Sequence, residues 1–304
     1  MAQTTKLAKA LEHTRLLVLG AAIAILSGYT PETPFATVNW LISLASAWGL
    51  HAGIFLLLWA LLDLASQSRR WARQGLLLLL GTLGVVPYLQ RDDAQARESG
   101  ALWRVAALNI NVNNNLQPAL VWLKEKKTDI VVLSEAGESV KKALGDAAGH
   151  CLWNQRDDAF GMLVCSPHTL EGEWVTLNGW AVAWKGHATM PDGKVWVWAV
   201  HPPPPLTPEM DAVNRALWKK IEQASKDDES TVVLGDFNAT PGSASLRVLK
   251  NFRMAGVPLG TWGGPVGLAL DHIASKRLCA NEFEVSPPVG SDHRGVRALL
   301  KSCP

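Results

Sequence analysis

The chain has 304 residues, of which 48% are hydrophobic and 18% are charged, and this length suggests about two folding units. The charge is unevenly spread: residues 1–90 carry six Lys or Arg and three acidic residues, which leaves 23 basic and 24 acidic residues in 91–304. A protein that holds duplex DNA by neutralising phosphates usually has a basic face. The neutral C-terminal part makes such a protein less expected, although it leaves room for a local basic patch.

The cysteines bear on zinc binding and on disulfides. None of the four, Cys151, Cys165, Cys279 and Cys303, forms a Cys-x-x-Cys pair, so a structural zinc site is not expected. Disulfides can form if the C-terminal part lies outside the cytoplasm, and four thiols allow three pairings. The sequence does not choose among these pairings.

Residues 1–90 contain three uncharged apolar stretches, at 16–31, 33–62 and 74–90. A membrane-spanning helix needs about 20 apolar residues, and the middle stretch meets this requirement with a candidate core from Trp40 to Leu62. The first stretch could instead be a signal-peptide core, and the third an interfacial or buried helix. We predict an N-terminal transmembrane helical region with about three helices in 1–90, followed by a polar linker at 91–100.

Basic residues predict how this region is oriented. They flank the first apolar stretch and fill the connection between the second and third: Lys6, Lys9, Arg15, Arg69, Arg70 and Arg73. The positive-inside rule places these residues in the cytoplasm. If the third stretch crosses the membrane, everything after about Arg91 faces outward; if it does not, the same part is cytoplasmic. The prediction is a multi-pass protein of the cytoplasmic membrane with an extracytoplasmic C-terminal domain.

From Trp103 onward, short apolar runs alternate with turn signals, as is typical of strands. The predicted strands are Arg104–Ile110, Asp129–Leu133, Gly161–Cys165, Ala181–Trp184, Lys194–His201, Thr231–Leu234, Ala269–Ala274 and Val296–Leu300. Helices are predicted at Leu116–Lys127 after the capping cluster Asn113–Asn115, at Glu209–Ala224 after Thr207-Pro208, and at Ser243–Leu249. Many strands with few helices predict an α/β fold for residues 101–304, a four-layer sandwich of two β-sheets flanked by helices.

One strand end carries a pair of polar residues. The run Val232–Leu234 ends in Gly235 and places Asp236 and Asn238 two residues apart, ahead of Pro241. Residues two apart share a face of an extended chain, so both side chains can face one ligand. An Asx-type turn is the simpler interpretation of this stretch taken alone. Polar residues at the other strand ends favour a site.

These further polar residues lie at or beside predicted strand ends: Asn109, Glu135, His201, Asp271, His272, Asp292 and His293. A carboxylate that follows a run as apolar as Ile130–Leu133 is costly to bury unless it is paired or binds a cation. The oxygens of Glu135, Asp236 and Asp292, with Asn109, suit Mg²⁺ or Mn²⁺ better than zinc. Both His201 and His293 can move protons near neutral pH, although a lone histidine is often structural, and His272 is more simply a packing or supporting residue.

The ordered set of motifs resembles the endonuclease/exonuclease/phosphatase superfamily across roughly residues 101–301. It comprises Leu-Asn109-Ile-Asn, the strand ending in Glu135, Val-His201-Pro-Pro-Pro, Gly-Asp236-Phe-Asn238, Leu-Asp271-His-Ile and Ser-Asp292-His293. The resemblance implies two packed β-sheets flanked by helices, and divalent-metal-dependent hydrolysis of phosphoesters at one rim.

The resemblance also implies a role for each position. Glu135 corresponds to the principal Mg²⁺ ligand, with Asn109 and Asp292 assisting. Asp236 corresponds to the group that positions or deprotonates the attacking water, and Asn238 to a hydrogen-bond donor to a phosphate oxygen. The histidine at the scissile phosphate is His293, with Asp271 fixing its tautomer. The second histidine, on the leaving side, is His201.

Two departures from the nuclease members of the superfamily bear on the substrate. Ser134 stands where many nucleases have Gln before the metal-binding Glu, and residues 101–304 contain no tyrosine, a residue that repair-type members commonly place near the phosphate. These departures count against a nuclease, and a membrane anchor suits a substrate held at the bilayer. We therefore expect a membrane-anchored, divalent-metal-dependent phosphohydrolase that cleaves phosphoester or pyrophosphate bonds of a phosphorylated, lipid-linked substrate such as a polyprenyl pyrophosphate. The alternatives are a metal-dependent nuclease acting on DNA or RNA, and a non-catalytic membrane sensor or scaffold.

Overall fold

The computed structural model of the chain describes residues 2–65, 71–89, 102–111, 117–125, 127–144, 150–156, 158–190, 193–225, 229–256 and 260–303. The chain forms two compact units, one made of residues 1–90 with Thr240–Arg247 and one made of 91–239 with 248–304. The predicted linker at 91–100 and the predicted capping cluster Asn113–Asn115 lie outside the described residues.

The first unit consists of helices. They are α1 (Ala2–Ser27), α2 (Ala36–Ala47), α3 (Gly49–Ala65) and α4 (Trp71–Leu89). Thr240–Arg247 belongs to the same unit, in which the guanidinium carbon of Arg247 lies 3.7 Å from the centre of the Tyr29 ring and the Ala244 N–H donates to Ser46 Oγ at 3.3 Å.

The middle apolar stretch is not a straight helix. The predicted core from Trp40 to Leu62 is divided between α2 and α3, which meet at Trp48 with a bend of 53°. In the part of the chain that the structure describes, none of the helices is by itself long and apolar enough to cross a bilayer, whereas α2 and α3 taken together are. Leu16–Ser27 and Arg73–Leu89 are shorter apolar helices.

The second unit is built on two six-stranded sheets. The strands are β1 (Leu102–Asn109), β2 (Ile130–Ser134), β3 (His150–Asn154), β4 (Met162–Ser166), β5 (Thr169–Leu177), β6 (Trp180–Met190), β7 (Gly193–Val200), β8 (Thr231–Asp236), β9 (Arg253–Met254), β10 (Asp271–Lys276), β11 (Leu278–Val285) and β12 (Val296–Ser302). The first sheet has the order β11-β12-β1-β2-β4-β3 and the second β5-β6-β7-β8-β10-β9. The neighbours β1 and β2 are parallel, as are β7 and β8, and the other neighbours are antiparallel.

The core lies between the two sheets, because each sheet has an apolar face that must be buried against another element. Val105 and Val132 of the first sheet share one buried cluster with Val197 and Val232 of the second. Along β7, the alternate residues Val195, Val197 and Ala199 all belong to this cluster, as expected for a strand with one face against the core. The α/β class with two sheets flanked by helices is thus observed.

Helices cover the outer faces of the sheets. The helix α5 (Gln117–Glu125) and the short α6 (Glu138–Leu144) supply Trp122, Leu123 and Val140 to a second buried cluster on the first sheet. The helix α7 (Pro208–Ala224) begins after Thr207, whose Oγ1 accepts from the Met210 N–H, and a proline follows the cap. The helix predicted at Ser243–Leu249 is instead a 3₁₀ turn at Ala244–Val248.

Candidate active site

The strand ends place the predicted polar residues together at one rim of the two-sheet unit. Asn109 is the last residue of β1, Glu135 follows β2 and Asp236 ends β8. The backbone turns sharply here, because Glu135 and Asn238 have positive φ angles of 54° and 48°. Such conformations are uncommon for residues other than glycine, and they cluster at functional sites where the surrounding structure maintains them.

The amide of Asn109 links two of the predicted acidic groups. Its Nδ2 donates to Glu135 Oε1 at 2.9 Å and to Asp236 Oδ2 at 3.0 Å. Asn109 and Asp236 are both almost completely buried, at 1% exposure each. Asn109 and Asp236, which are 127 positions apart in the chain and lie on two different sheets, are therefore hydrogen-bonded to each other.

Asp236 also lies between two imidazoles. Its Oδ2 is 3.7 Å from His201 Nε2 and 3.8 Å from His293 Nε2. The other ring nitrogen of His293 bonds Asp271 Oδ2 at 2.8 Å, so Asp271 is placed to fix its orientation. Asn238 caps the turn, since its backbone N–H donates to Asp236 Oδ1 at 2.8 Å and its Nδ2 donates to the Pro202 carbonyl at 2.9 Å.

Asp292 is held at the opening of the site. Its Oδ1 accepts from Asn111 Nδ2 at 2.9 Å and its Oδ2 from Trp262 Nε1 at 3.2 Å. Nearby, Ser291 Oγ donates to the Asn109 carbonyl at 2.8 Å. All eight residues predicted for the site thus lie at this rim or bond residues that do: Asn109, Glu135, His201, Asp236, Asn238, Asp271, Asp292 and His293.

Several contributing residues were not predicted from the sequence. Asn111 is one of them, although its position two residues after Asn109 repeats the spacing of Asp236 and Asn238 and could have indicated it. Trp262 comes from a loop with no such pattern. The ring of Phe160 lies 5.6 Å from that of His201, and nothing in the local sequence singles it out.

His272 is a supporting residue, with Nε2 at 3.0 Å from the Ala239 carbonyl and 2.9 Å from the Ala269 carbonyl.

Burial and neighbouring charges separate the two histidines by protonation state. Burial lowers the pKa of His201, and the charge of Asp236 only partly opposes this. Burial would also lower the pKa of His293, but the carboxylates of Asp271 and Asp236 outweigh it and raise the pKa to about 10. At neutral pH the site therefore combines a neutral His201 with an imidazolium at His293.

The acidic groups carry more negative charge than the protein compensates. Burial raises the pKa of Glu135, the Asn109 hydrogen bond lowers it, and the nearby Asp236 raises it further. Burial likewise raises the pKa of Asp236, against the charge of His293. For Asp292, burial acts upward, but the hydrogen bond from Asn111 and the charge of His293 hold its pKa below the usual range. Such a site gains stability from a bound cation.

The donor chemistry suits a hard divalent cation. Among the described residues, Asp236, Asp271 and His293 form a group whose potential ligand atoms lie within 4.8 Å of one another. This cluster differs from the ligands that the sequence predicts, and in it His293 Nδ1 already bonds Asp271 Oδ2 at 2.8 Å. The oxygens of Glu135 and Asp292 beside Asn109 are the better match for Mg²⁺ or Mn²⁺.

Residues 106–293 match the model of the Endonuclease/Exonuclease/phosphatase family. The chain belongs to this family, whose enzymes are metal-dependent phosphoester hydrolases. Comparison with curated protein sequences finds no match.

Solved structures of low sequence identity share the fold. An endonuclease/exonuclease/phosphatase from Beutenbergia cavernae is 16% identical, with a TM-score of 0.55 over 66% of this chain and 72% of that one. The D. rerio TDP2 complexed with single-strand DNA product is 13% identical, with a TM-score of 0.54 over 66% of this chain and 100% of that one. The 3′ phosphatase NExo from Neisseria, bound to product DNA hairpin, is 16% identical, with a TM-score of 0.52 over 64% of this chain and 98% of that one.

Proposed function

We propose that this chain is a membrane-anchored phosphohydrolase that uses Mg²⁺ or Mn²⁺ and cleaves a phosphoester or pyrophosphate bond of a lipid-linked substrate. The observation that carries the proposal is the bonding of Asn109 to both Glu135 and Asp236, beside two histidines of different protonation. Hydrolysis of a phosphate ester uses a proton acceptor for the attacking water, positive charge beside the phosphoryl oxygens and a divalent cation, and the site offers residues for each of these.

The proposed roles follow from the positions of the ionisable groups. Asp236 accepts a proton from the attacking water as the new P–O bond forms. The imidazolium of His293, held by Asp271, stabilises charge on the phosphoryl oxygens while the P–O bond to the leaving group breaks and the leaving group departs with the electron pair as its oxyanion. His201, neutral and next to Asp236, is placed on the leaving side, and Asn238 orients a phosphate oxygen.

The metal would be held by Glu135, Asn109 and Asp292. A divalent cation bound there supplies Lewis-acid stabilisation of the negative charge on the phosphate. Asn109 keeps the carboxylates of Glu135 and Asp236 in a fixed position, because it is buried and hydrogen-bonded to both of them.

The membrane part of the proposal is supported by the surface of the helical unit. Large apolar side chains such as Leu17, Leu41, Leu58 and Leu79 are exposed on α1, α2, α3 and α4. In contrast, polar residues of these helices, Asn39, Ser43, Ser46 and Gln74, are buried. The helical unit also buries an apolar cluster that includes Leu56 and Leu77, but the large apolar side chains exposed on all four helices are what a lipid environment accounts for.

An extracytoplasmic catalytic unit is the location we propose. Cys151 pairs with Cys165 and Cys279 with Cys303, so that none of the four cysteines is free. Disulfides persist in oxidising compartments and are rare in the cytoplasm. Alkylation of intact cells before and after reduction tests this location, because thiols that react without reductant would contradict it.

The substrate is tested by phosphate release from a polyprenyl pyrophosphate in detergent micelles with Mg²⁺. We expect turnover by the wild-type protein and a loss of about 10³-fold or more in the isosteric variant Asp236→Asn, since the proton acceptor is removed. Equal phosphate release by the wild type and the variant would overturn the proposal.

A second candidate function is nucleic-acid hydrolysis, because the D. rerio and Neisseria structures contain DNA products. It predicts cleavage of DNA or RNA with binding that weakens steeply as salt increases. The same preparation assayed on single-stranded DNA separates the two functions, since the lipid-linked substrate should be turned over with much the higher kcat/KM.

A further inference from the structure

Asn214 is a buried polar residue on α7 that bonds two loops of the active site. It is 2% exposed. Its Nδ2 lies 3.3 Å from the Pro203 carbonyl and 3.2 Å from the Phe237 carbonyl. Pro203 comes two residues after His201, and Phe237 lies between Asp236 and Asn238. One carboxamide therefore joins the chain that carries His201 to the chain that carries Asp236.

The orientation of this carboxamide is fixed by Trp218. The indole Nε1 of Trp218 donates to Asn214 Oδ1 at 2.7 Å, and an indole N–H can only donate. The oxygen of Asn214 must therefore face Trp218, so its two N–H groups face the two carbonyls. The ring of Trp218 also packs against Phe237, with 4.8 Å between the ring centres, which holds the same loop from a second side.

The two loops are also bonded directly. Asn238 Nδ2 donates to the Pro202 carbonyl at 2.9 Å. Without Asn214, this bond and the 3.7 Å approach of His201 Nε2 to Asp236 Oδ2 would depend on loops with two unpaired buried carbonyls. Buried carbonyls without a hydrogen-bond donor are unfavourable, so the loops would move to find other donors. A shift of about 1 Å in a catalytic group can reduce a rate by about 10²-fold.

We propose that Asn214 is a positioning residue for the hydrolytic reaction, setting the separation of His201 from Asp236 and the orientation of Asn238. It does not touch the reacting atoms. It acts through the Pro203 and Phe237 carbonyls. The proposal rests on phosphoester hydrolysis at this site in general and does not depend on a lipid-linked substrate.

The test compares Asn214→Leu with Arg215→Met in the full-length protein. Both substitutions remove a buried polar side chain from the same helix, but Arg215 pairs with Asp211 of α7 itself rather than with the loops. Turnover of bis(p-nitrophenyl) phosphate with Mg²⁺ and the thermal midpoint are measured for each. We expect Asn214→Leu to lower kcat by about 10–100-fold with KM changed less than about threefold, and Arg215→Met to lose thermal stability while retaining kcat within about twofold.

Two milder variants keep the test decisive if Asn214→Leu does not fold. Trp218→Phe keeps the ring against Phe237 but removes the N–H that orients Asn214, so we expect a kcat loss of about 3–10-fold. Asn214→His can restore one donor and should recover part of the rate. A kcat in Asn214→Leu or Trp218→Phe within twofold of wild type, or an equal kcat loss in Arg215→Met, would overturn the proposal.

Discussion

Asp236 is the residue through which most of the site is connected. Its Oδ2 accepts from Asn109 and lies within 4 Å of the Nε2 atoms of His201 and His293. The two imidazoles differ in protonation because His293 has a second carboxylate, Asp271, at its other nitrogen. The hydrogen-bonded pair of Asp271 and His293 thus determines which of the two histidines carries the positive charge.

The pairing of Asp271 with His293 leads to a prediction about the pH dependence of activity. Replacing Asp271 with Asn removes a charge that raises the pKa of His293, so the pKa should fall from about 10 toward the unperturbed value of about 6.5. If the imidazolium is the active form, activity of the variant should decline between about pH 7 and 9, where wild-type activity is maintained. The measurement is kcat/KM for bis(p-nitrophenyl) phosphate against pH.

The matched control for this pH profile is Asp158→Asn, which also replaces one carboxylate by an amide. Asp158 contributes to the electrostatics of His201 rather than of His293. Its variant should therefore keep the alkaline limit of the wild type. An alkaline limit that is the same in Asp271→Asn and wild type would contradict the assignment of His293.

A related prediction concerns stability. The pKa of His293 is raised on folding, so its contribution to stability is fully present below its unfolded pKa and is lost as the pH rises through about 10. We expect the thermal midpoint of the metal-free protein to fall between pH 7 and 10, and to fall less in His293→Gln. Parallel curves for the two proteins would show that His293 is not responsible.

At the scale of elements, the site depends on how closely β7 and β8 approach. Gly235 precedes Asp236 with φ of 142°, and a Cβ built on it would lie 2.0 Å from the Val200 carbonyl oxygen. No other residue type can be accommodated there without moving one of the two strands. The glycine is thus what allows His201, just after β7, to lie beside Asp236.

We predict that Gly235→Ala destabilises the protein by about 2–4 kcal/mol, since it combines a clash with an unfavourable φ. Gly179→Ala is the matched control, because Gly179 also has a positive φ, of 82°, but has nothing within 4 Å of a built Cβ. It should cost about 1 kcal/mol. Urea unfolding of the two variants provides the comparison, and equal costs would contradict the clash.

The strands that the sequence predicted are the interior strands of the two sheets. The four that it missed, β3, β5, β9 and β11, are the edge strands of the sheets. An interior strand has an uninterrupted apolar pattern because neighbours and core surround it. An edge strand such as β5 is largely exposed, so its residues alternate weakly and resemble a loop. The helix α6 was missed because seven residues are too few for a periodic pattern.

The site was predictable to a similar degree and for a similar reason. Carboxylates and histidines at the ends of apolar strands are conspicuous in sequence, and they indicated the rim. The supporting contacts of Asn214 and Trp262 were not predictable, because they join segments that are distant in the chain through helix and loop geometry. The bend at Trp48, which divides the middle apolar stretch, was also missed, since both sides of it are equally apolar.

For the whole molecule, the two units differ in what stabilises them. The helical unit exposes many large apolar side chains while burying others such as Leu56 and Leu77, whereas the two-sheet unit has a large buried core between its sheets and two disulfides. The disulfide Cys279–Cys303 joins β11 to the residue that follows β12, across a sequence separation of 24. It therefore ties the C-terminal end of the chain to an edge strand of the first sheet.

We predict that replacing Cys279 and Cys303 with Ala lowers the free energy of unfolding by about 3 kcal/mol, through the larger entropy of the open unfolded chain. The comparison is urea unfolding with and without reductant. Reductant should destabilise the wild type by at least this amount and the double variant by less. A wild-type protein whose stability does not change on reduction would contradict the role of both disulfides.

We propose that Glu135, with Asn109 and Asp292, holds the divalent cation needed for hydrolysis. The most direct test of this proposal is a Mg²⁺ titration of phosphoester hydrolysis after EDTA treatment, for the wild type and Glu135→Gln. We expect no turnover without metal, and a half-saturating Mg²⁺ concentration about 10–100-fold higher in the variant. Turnover that survives EDTA, or the same half-saturating concentration in both proteins, would contradict it.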